Sequence, residues 1–373
     1  MPHSTQDELP VRRNLPRKIL ALILAGMSFS AALGAVADWS AFLAGLSRAR
    51  VADVMAPALA IGASYLIDSL RYILVFRPFG VRLAFRDALY NNISGYFFGG
   101  ITPSSAGGQP FQIYHFSKIG LDSAISTNII FSRLTIIYAV QFLVALLFSG
   151  RGVALIRRAG GGTSLLYAAM AASLTISTLL TIALRNPDRL GILARRIEGS
   201  RAGRLAGRLL KDPQWARKID AWTGQLRDGF RLLWGEKRLL MLADVLLHTA
   251  GQTVLAFGFF VPFVALTQAQ VDFGEFFFIY MLGSLISGFF ITPGATGGVE
   301  ATFVFILGAL SKNHAGTMGA IVLWRFGSYH LQLILGGLVY TIFKPQRGLY
   351  AKGEDGIVRR RFRRDPENSA PSG

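Results

Sequence analysis

The chain has 373 residues, 52% of them hydrophobic and 16% charged, a formal net charge of +18 and no cysteine. Without cysteine there can be no disulfide framework, thiolate metal centre or thiol nucleophile. The apolar residues fall in long blocks flanked by the basic excess, with no zinc-finger, helix-turn-helix or aromatic-plus-basic RNA motif, so an all-α polytopic membrane protein is predicted and nucleic acid is not a predicted partner.

Residues 1–18 form a basic N-terminus in which Arg12, Arg13, Arg17 and Lys18 place the chain start in the cytoplasm. A first membrane repeat is predicted over 19–150. It opens with a span from Leu20 to Val36, read as a retained helix rather than a signal peptide because no small-residue cleavage site follows. A second span from Val54 to Phe76 ends at Arg77, Arg82 and Arg86. The next apolar stretch, Ala88 to Ile101, falls short of the roughly 20 residues that cross a bilayer. With the break from Pro103 to Gly108 and a second short stretch to Phe116 it reads as a re-entrant helical hairpin over about 88–117. A further span runs from Ser123 to Phe148.

The second repeat is predicted over 163–343. It holds a span from Ser164 to Leu184, a basic cytoplasmic loop over 185–238 lying on the membrane surface, and a span from Leu239 to Leu266. A second broken hairpin over about 276–310 and a last span from Met318 to Phe343 follow. Residues 344–373 form a basic tail, expected to be cytoplasmic and disordered past Tyr350.

The two hairpins carry one text twice, ITPSSAGGQ from Ile101 and ITPGATGGV from Ile291. Ser94 and Gly95 precede the first copy and Ser287 and Gly288 the second. Arg133, Tyr138 and Gln141 follow the first, and Arg325, Tyr329 and Gln332 the second. Each predicted half then contains two spans, a broken hairpin and a further span. The odd number of crossings in the first half inverts the second, which is an inverted-topology repeat.

Pro stops a helix and paired Gly lets the backbone turn, so each break ends at a new helix N-terminus. Amides near Gly108 to Phe111 and Gly298 to Ala301 are candidate anion donors, joined by the hydroxyls of Thr102, Ser104, Ser105, Thr292 and Thr296. Pro103, Gly107, Gln109, Pro293, Gly294 and Gly297 complete the two candidate headgroup-binding breaks. The plainer alternative is that Pro and Gly only let the hairpins pack closely.

Arg133 and Arg325 are costly inside a bilayer and suit bidentate phosphate recognition; a structural ion pair of Arg325 with Glu300, or snorkelling, is the alternative. Glu300 is read either as a helix-capping acid or as a proton-titrating group. Tyr138, Gln141, Tyr329 and Gln332 are secondary candidates. Asp68 with Arg71 reads as a local intrahelical pair, and Asp244 with His248 as a separate structural polar pair, with a proton relay as the alternative. No GxSxG, HExxH or P-loop is present, and neither metal nor cofactor is predicted.

At Pro293, Gly294, Gly297 and Glu300, and again at Pro103 and Gly108, the chain resembles a flippase-like membrane family. That family includes the membrane region of lysylphosphatidylglycerol synthases and many standalone proteins. Its first motif commonly places Glu after the Gly, where this chain has Gln109. Its synthases use a large C-terminal catalytic domain, whereas this sequence ends about 30 residues after its last predicted span. The resemblance therefore implies a non-enzymatic lipid transporter of the bacterial inner membrane moving an anionic or phosphate-bearing lipid. Hopanoid-linked, polyprenyl-linked and glycolipid substrates are all compatible with it. The alternatives are an integral-membrane enzyme acting on a lipid phosphate and a non-catalytic partner of a lipid-modifying synthase.

Overall fold

The computed structural model describes residues 47, 49–158, 160, 163–198, 200, 214–343, 348–353 and 357–360. The span expected from Leu20 to Val36, the N-terminus before it, and the basic residues Arg201, Arg204, Arg208 and Lys211 lie outside them. The architecture is all-α and polytopic. Among the described residues four helices are long and apolar enough to cross a membrane: Val51–Phe79, Ser123–Leu147, Leu166–Arg185 and Arg238–Thr267.

Helix α1 (Val51–Phe76) starts where the Asp53 carboxylate accepts the Arg50 N–H at 2.8 Å. Helices α2 (Phe85–Gly100) and α3 (Gly108–Lys118) flank the first break, and neither is long enough to span alone. Asp122 caps α4 (Ser123–Leu147) through the amides of Ala124 and Ile125. Helices α5 (Ser149–Arg158) and α6 (Ser164–Arg185) follow.

The basic loop forms α7 (Asp188–Glu198) and α8 (Trp215–Arg231), strongly amphipathic helices tied by Arg195 to Asp220 and by Arg227 to Asp188, both at 2.9 Å. Asn128 of α4 donates to the Leu226 carbonyl at 2.6 Å, so α8 rests against the start of α4.

Helix α9 (Arg238–Thr267) lies along α1. The approach is close because Gly258 faces Ala60 and the Ala56 backbone, as small residues allow where apolar packing alone gives helices no reason to associate. Helices α10 (Phe273–Ser287) and α11 (Gly298–Ser311) flank the second break. The final helical run comprises α12 (His314–Arg325), a π-helical stretch Phe326–Leu331, and α13 (Gln332–Ile342). Phe259, Phe276, Phe303 and Trp324 join α9, α10, α11 and α12 in a buried aromatic core, with Trp324 stacked on Phe259 at 4.4 Å.

The tail past Tyr350 is not disordered throughout. Strands β1 (Tyr350–Lys352) and β2 (Val358–Arg360) pair antiparallel. Backbone partners account for the order: Val358 donates to Gly80 and accepts from Arg82, and the Tyr350 amide donates to Ile119 at 2.8 Å. The Tyr350 hydroxyl accepts the Ala84 amide at 2.9 Å and donates to Asp87 at 2.6 Å, closing the start of α2.

Candidate functional site

The two breaks open with the same turn and then diverge, Gly107 standing at φ −81° and Gly297 at φ 92°. Ser105 donates to Thr102 and Ala106 to Pro103; Ala295 donates to Thr292 and Thr296 to Pro293. Two successive residues in each turn are left-handed, Ser104 and Ser105 at φ 51° and 56°, Gly294 and Ala295 at φ 59° and 52°. Non-glycine residues resist that conformation by roughly 1–2 kcal/mol each, so the turn is imposed by its surroundings. Those surroundings include the other break, since Pro103 and Pro293 form an antiparallel bridge.

The bridge joins equivalent prolines of the repeated text, and that text read forward from Ile101 and Ile291 sets Thr102 against Thr292, Gly107 against Gly297 and Pro110 against Glu300. The residue standing where Glu300 stands is therefore not Gln109, the position singled out in the sequence. The difference changes how each break is closed. In the second, the Glu300 carboxylate accepts the Gly297 amide at 2.7 Å. In the first, where proline supplies no acid, the Thr102 hydroxyl accepts the Gly107 amide at 2.8 Å. Other amides expected to be open are also occupied: Gly108 donates to Ser105, Phe111 to Gly107, Val299 to Ala295 and Ala301 to Gly297. Removing the capping oxygen with Thr102→Val is expected to lower stability by about 1 kcal/mol while Thr102→Ser retains it, measured by thermal unfolding in detergent.

Between the breaks and helices α1, α2, α3, α4 and α9 lies a cavity of about 350 Å³. Three guanidiniums, Arg71, Arg133 and Arg325, and one carboxylate, Asp68, line it. Arg325 donates Nε to Glu300 at 2.7 Å and Nη2 to the Gly294 carbonyl and the Thr296 hydroxyl at 3.3 and 3.2 Å. Its guanidinium lies 4.5 Å from the Tyr329 ring centre, and Tyr329 donates to the Gly100 carbonyl at 3.3 Å. Arg133 donates Nη2 to Asp68 at 2.7 Å and stacks 3.8 Å from the Tyr72 ring centre. Asp68 also accepts from Arg71 at 2.6 Å and from Tyr96 at 2.7 Å. Arg71 grips Asp244 with two bonds, at 2.8 and 3.1 Å, and meets His248 Nδ1 at 3.2 Å.

The residues read as two separate structural pairs are thus one network: Asp68 and Arg71 on α1 are joined to Asp244 and His248 on α9. Of the candidates taken from the sequence, Ser105, Gly108, Gln109, Arg133, Gly294, Arg325, Tyr329 and Gln332 line the cavity. Glu300 and Thr296 stand behind Arg325, while Tyr138 and Gln141 lie away from the cavity wall. Asp68, Arg71, Tyr72, Tyr96 and His248 line it as well. The signal for them was available, because an ionisable residue inside an apolar span faces a partner or water.

A family model described as the lysylphosphatidylglycerol synthase TM region matches residues 19–336. The chain is also similar to a UPF0104 membrane protein from Archaeoglobus fulgidus, with 23% identity over 297 residues, covering 76% of this chain and 84% of that protein.

Proposed function

The chain belongs to the family of the lysylphosphatidylglycerol synthase TM region, and on that premise we propose that it is a flippase-like carrier. It moves the phosphate-bearing headgroup of an anionic lipid across the bacterial inner membrane, with its chains left in the bilayer. The observation that carries this reading is the arginine-lined cavity between two bridged breaks in an apolar bundle. Its volume of about 350 Å³ suits a polar headgroup rather than a whole lipid. Arg133, which lines the cavity with one contact to Asp68 and an unpartnered Nε, favours a phosphate there, and buried arginines in a membrane mark a substrate path.

The shared left-handed turn and the antiparallel Pro103–Pro293 bridge support an inverted-topology repeat whose halves meet at the cavity. Alternating access then follows from rocking one half against the other. The amphipathic, basic α7 and α8 support a cytoplasmic face against anionic headgroups, with the tail on the same side.

Reconstituted into vesicles with headgroup-labelled phosphatidylglycerol, the full chain is expected to speed exchange between leaflets at least tenfold over protein-free vesicles. The lipid's mass should stay unchanged. Exchange at the protein-free rate would remove the transport reading, and a changed mass would replace it with an enzymatic one.

A further inference from the structure

We infer that the two arginines that follow the breaks have divided duties: Arg133 takes the lipid phosphate, exchanging Asp68 for it, while Arg325 is a latch that holds the second break closed. The assignment rests on the transport reading of the cavity and names which side chain does the binding.

The side-on edge of a guanidinium, Nε with Nη2, offers two parallel N–H groups to an oxyanion. Arg71 has this edge filled by both oxygens of Asp244. Arg325 has it filled by Gly294 and Thr296 from the second break and by Glu300 from the first turn of α11, and the free oxygen of Glu300 takes the Gly297 amide. Every bond therefore fastens α12 to that break or to the helix that follows it.

Arg133 is different. Nη2 meets one oxygen of Asp68, and Nε is buried without a partner, although the residue is 93% buried and lines the cavity (7% exposed). Its edge is half filled. A phosphate presenting two oxygens would replace a one-point contact with a two-point one. Asp68 can let go without being orphaned, because Arg71 still donates to Oδ1 and Tyr96 to Oδ2.

The sequence asymmetry accounts for this division. Pro110 stands where Glu300 stands in the other copy, so the first break has no acid to claim its arginine, and Thr102 closes the turn instead. Two further residues of the cavity wall, His248 and Ser328, carry buried atoms without partners, Nε2 and Oγ, as candidates for the remaining phosphate oxygens. The ligand chemistry is a phosphate ester oxyanion, shared by a lipid headgroup and free phosphate.

The full chain in detergent can be titrated with dihexanoyl phosphatidylglycerol, its phosphate-free diacylglycerol analogue and inorganic phosphate, with affinity read by calorimetry and folding by thermal unfolding. Arg133→Lys, which keeps the charge but loses the edge, is expected to weaken phosphatidylglycerol binding at least tenfold with little change in melting temperature. Asp68→Asn is expected to tighten it severalfold, and only while Arg133 is present. Arg325→Lys is expected to lower the melting temperature and leave the affinity of the folded protein within about threefold of wild type. Preference for the lipid over inorganic phosphate assigns the ligand to the bilayer; the reverse assigns it to a free anion and keeps Arg133 as its binder.

Equal losses of affinity in the two lysine variants, or weaker binding by Asp68→Asn, would overturn the division of duties while leaving the cavity as the site. No binding of either phosphate probe above the analogue in wild type overturns the transport reading itself. Should Asp68→Asn not fold, the comparison of the two lysine variants decides alone.

Discussion

Asp244→Ala is expected to destabilise the protein by roughly 3–5 kcal/mol, the range for removing one partner of a buried ion pair. Asp244 is fully buried and takes both oxygens' worth of bonding from Arg71, itself 2% exposed. Without it, Arg71 keeps its bonds to His248 and to Asp68, whose same oxygen already serves Arg133, so Arg71 and Arg133 share one carboxylate and one positive charge is left uncompensated. Unfolding in mixed detergent should show the loss directly. The double replacement Arg71→Met with Asp244→Leu removes both charges and should regain most of it, since a buried pair exchanged for apolar volume is often neutral. A single variant that melts with wild type would mean that Arg71 is solvated by the cavity and that the network is not what joins the two helices.

The second large effect is expected at Gly258. A Cβ built there lands on the Ala60 Cβ and lies 3.1 Å from the Ala56 carbonyl, and neither obstacle is a flexible side-chain end. Gly258→Val must push α9 off α1, and overpacking of this kind costs about 1–3 kcal/mol or more. Because the same two helices carry Asp68, Arg71, Asp244 and His248, the wedge also disturbs the cavity wall. Lower yield of monodisperse protein and a fall in melting temperature are expected together. Gly251→Ala supplies the control: on the same helix its new Cβ would meet only Ile67, at an ordinary 3.7 Å, and alanine favours the helix by up to about 1 kcal/mol. Equal damage from the two substitutions would rule out steric contact at Ala60 as the cause.

Much of this architecture was legible because a bilayer leaves a chain few choices. Backbone that must satisfy its own hydrogen bonds is helical, so apolar blocks such as Ser123 to Leu147 and Arg238 to Thr267 could be read almost to their ends. The breaks were legible because ITP and then paired Gly recur together in both; Pro or paired Gly alone does not end a helix here, as Pro57 in α1, Pro262 in α9 and Gly336 with Gly337 in α13 show. The network around Asp68 was not legible. Asp68 and Arg71 stand three residues apart on one helix, where they satisfy each other locally. Nothing in that spacing shows that Asp244 arrives from 173 residues away. The repeated text itself sets Pro110 opposite Glu300, but it could not show that the two prolines Pro103 and Pro293 meet in an antiparallel bridge. The closure of the breaks was equally hidden, as the Gly108, Phe111, Val299 and Ala301 amides turn to backbone carbonyls and the Gly107 and Gly297 amides to Thr102 Oγ1 and Glu300 Oε2.

The small sheet at Tyr350–Lys352 and Val358–Arg360 sets a timetable for biosynthesis. Tyr350 completes the N-terminus of α2 from 263 residues further along the chain. At the ~5–20 residues per second of translation, that interval is roughly 15–50 s. Throughout it the Ala84 amide lacks the Tyr350 hydroxyl to which it donates in the folded chain. The first half therefore leaves the ribosome without this contact, and β1 later supplies it.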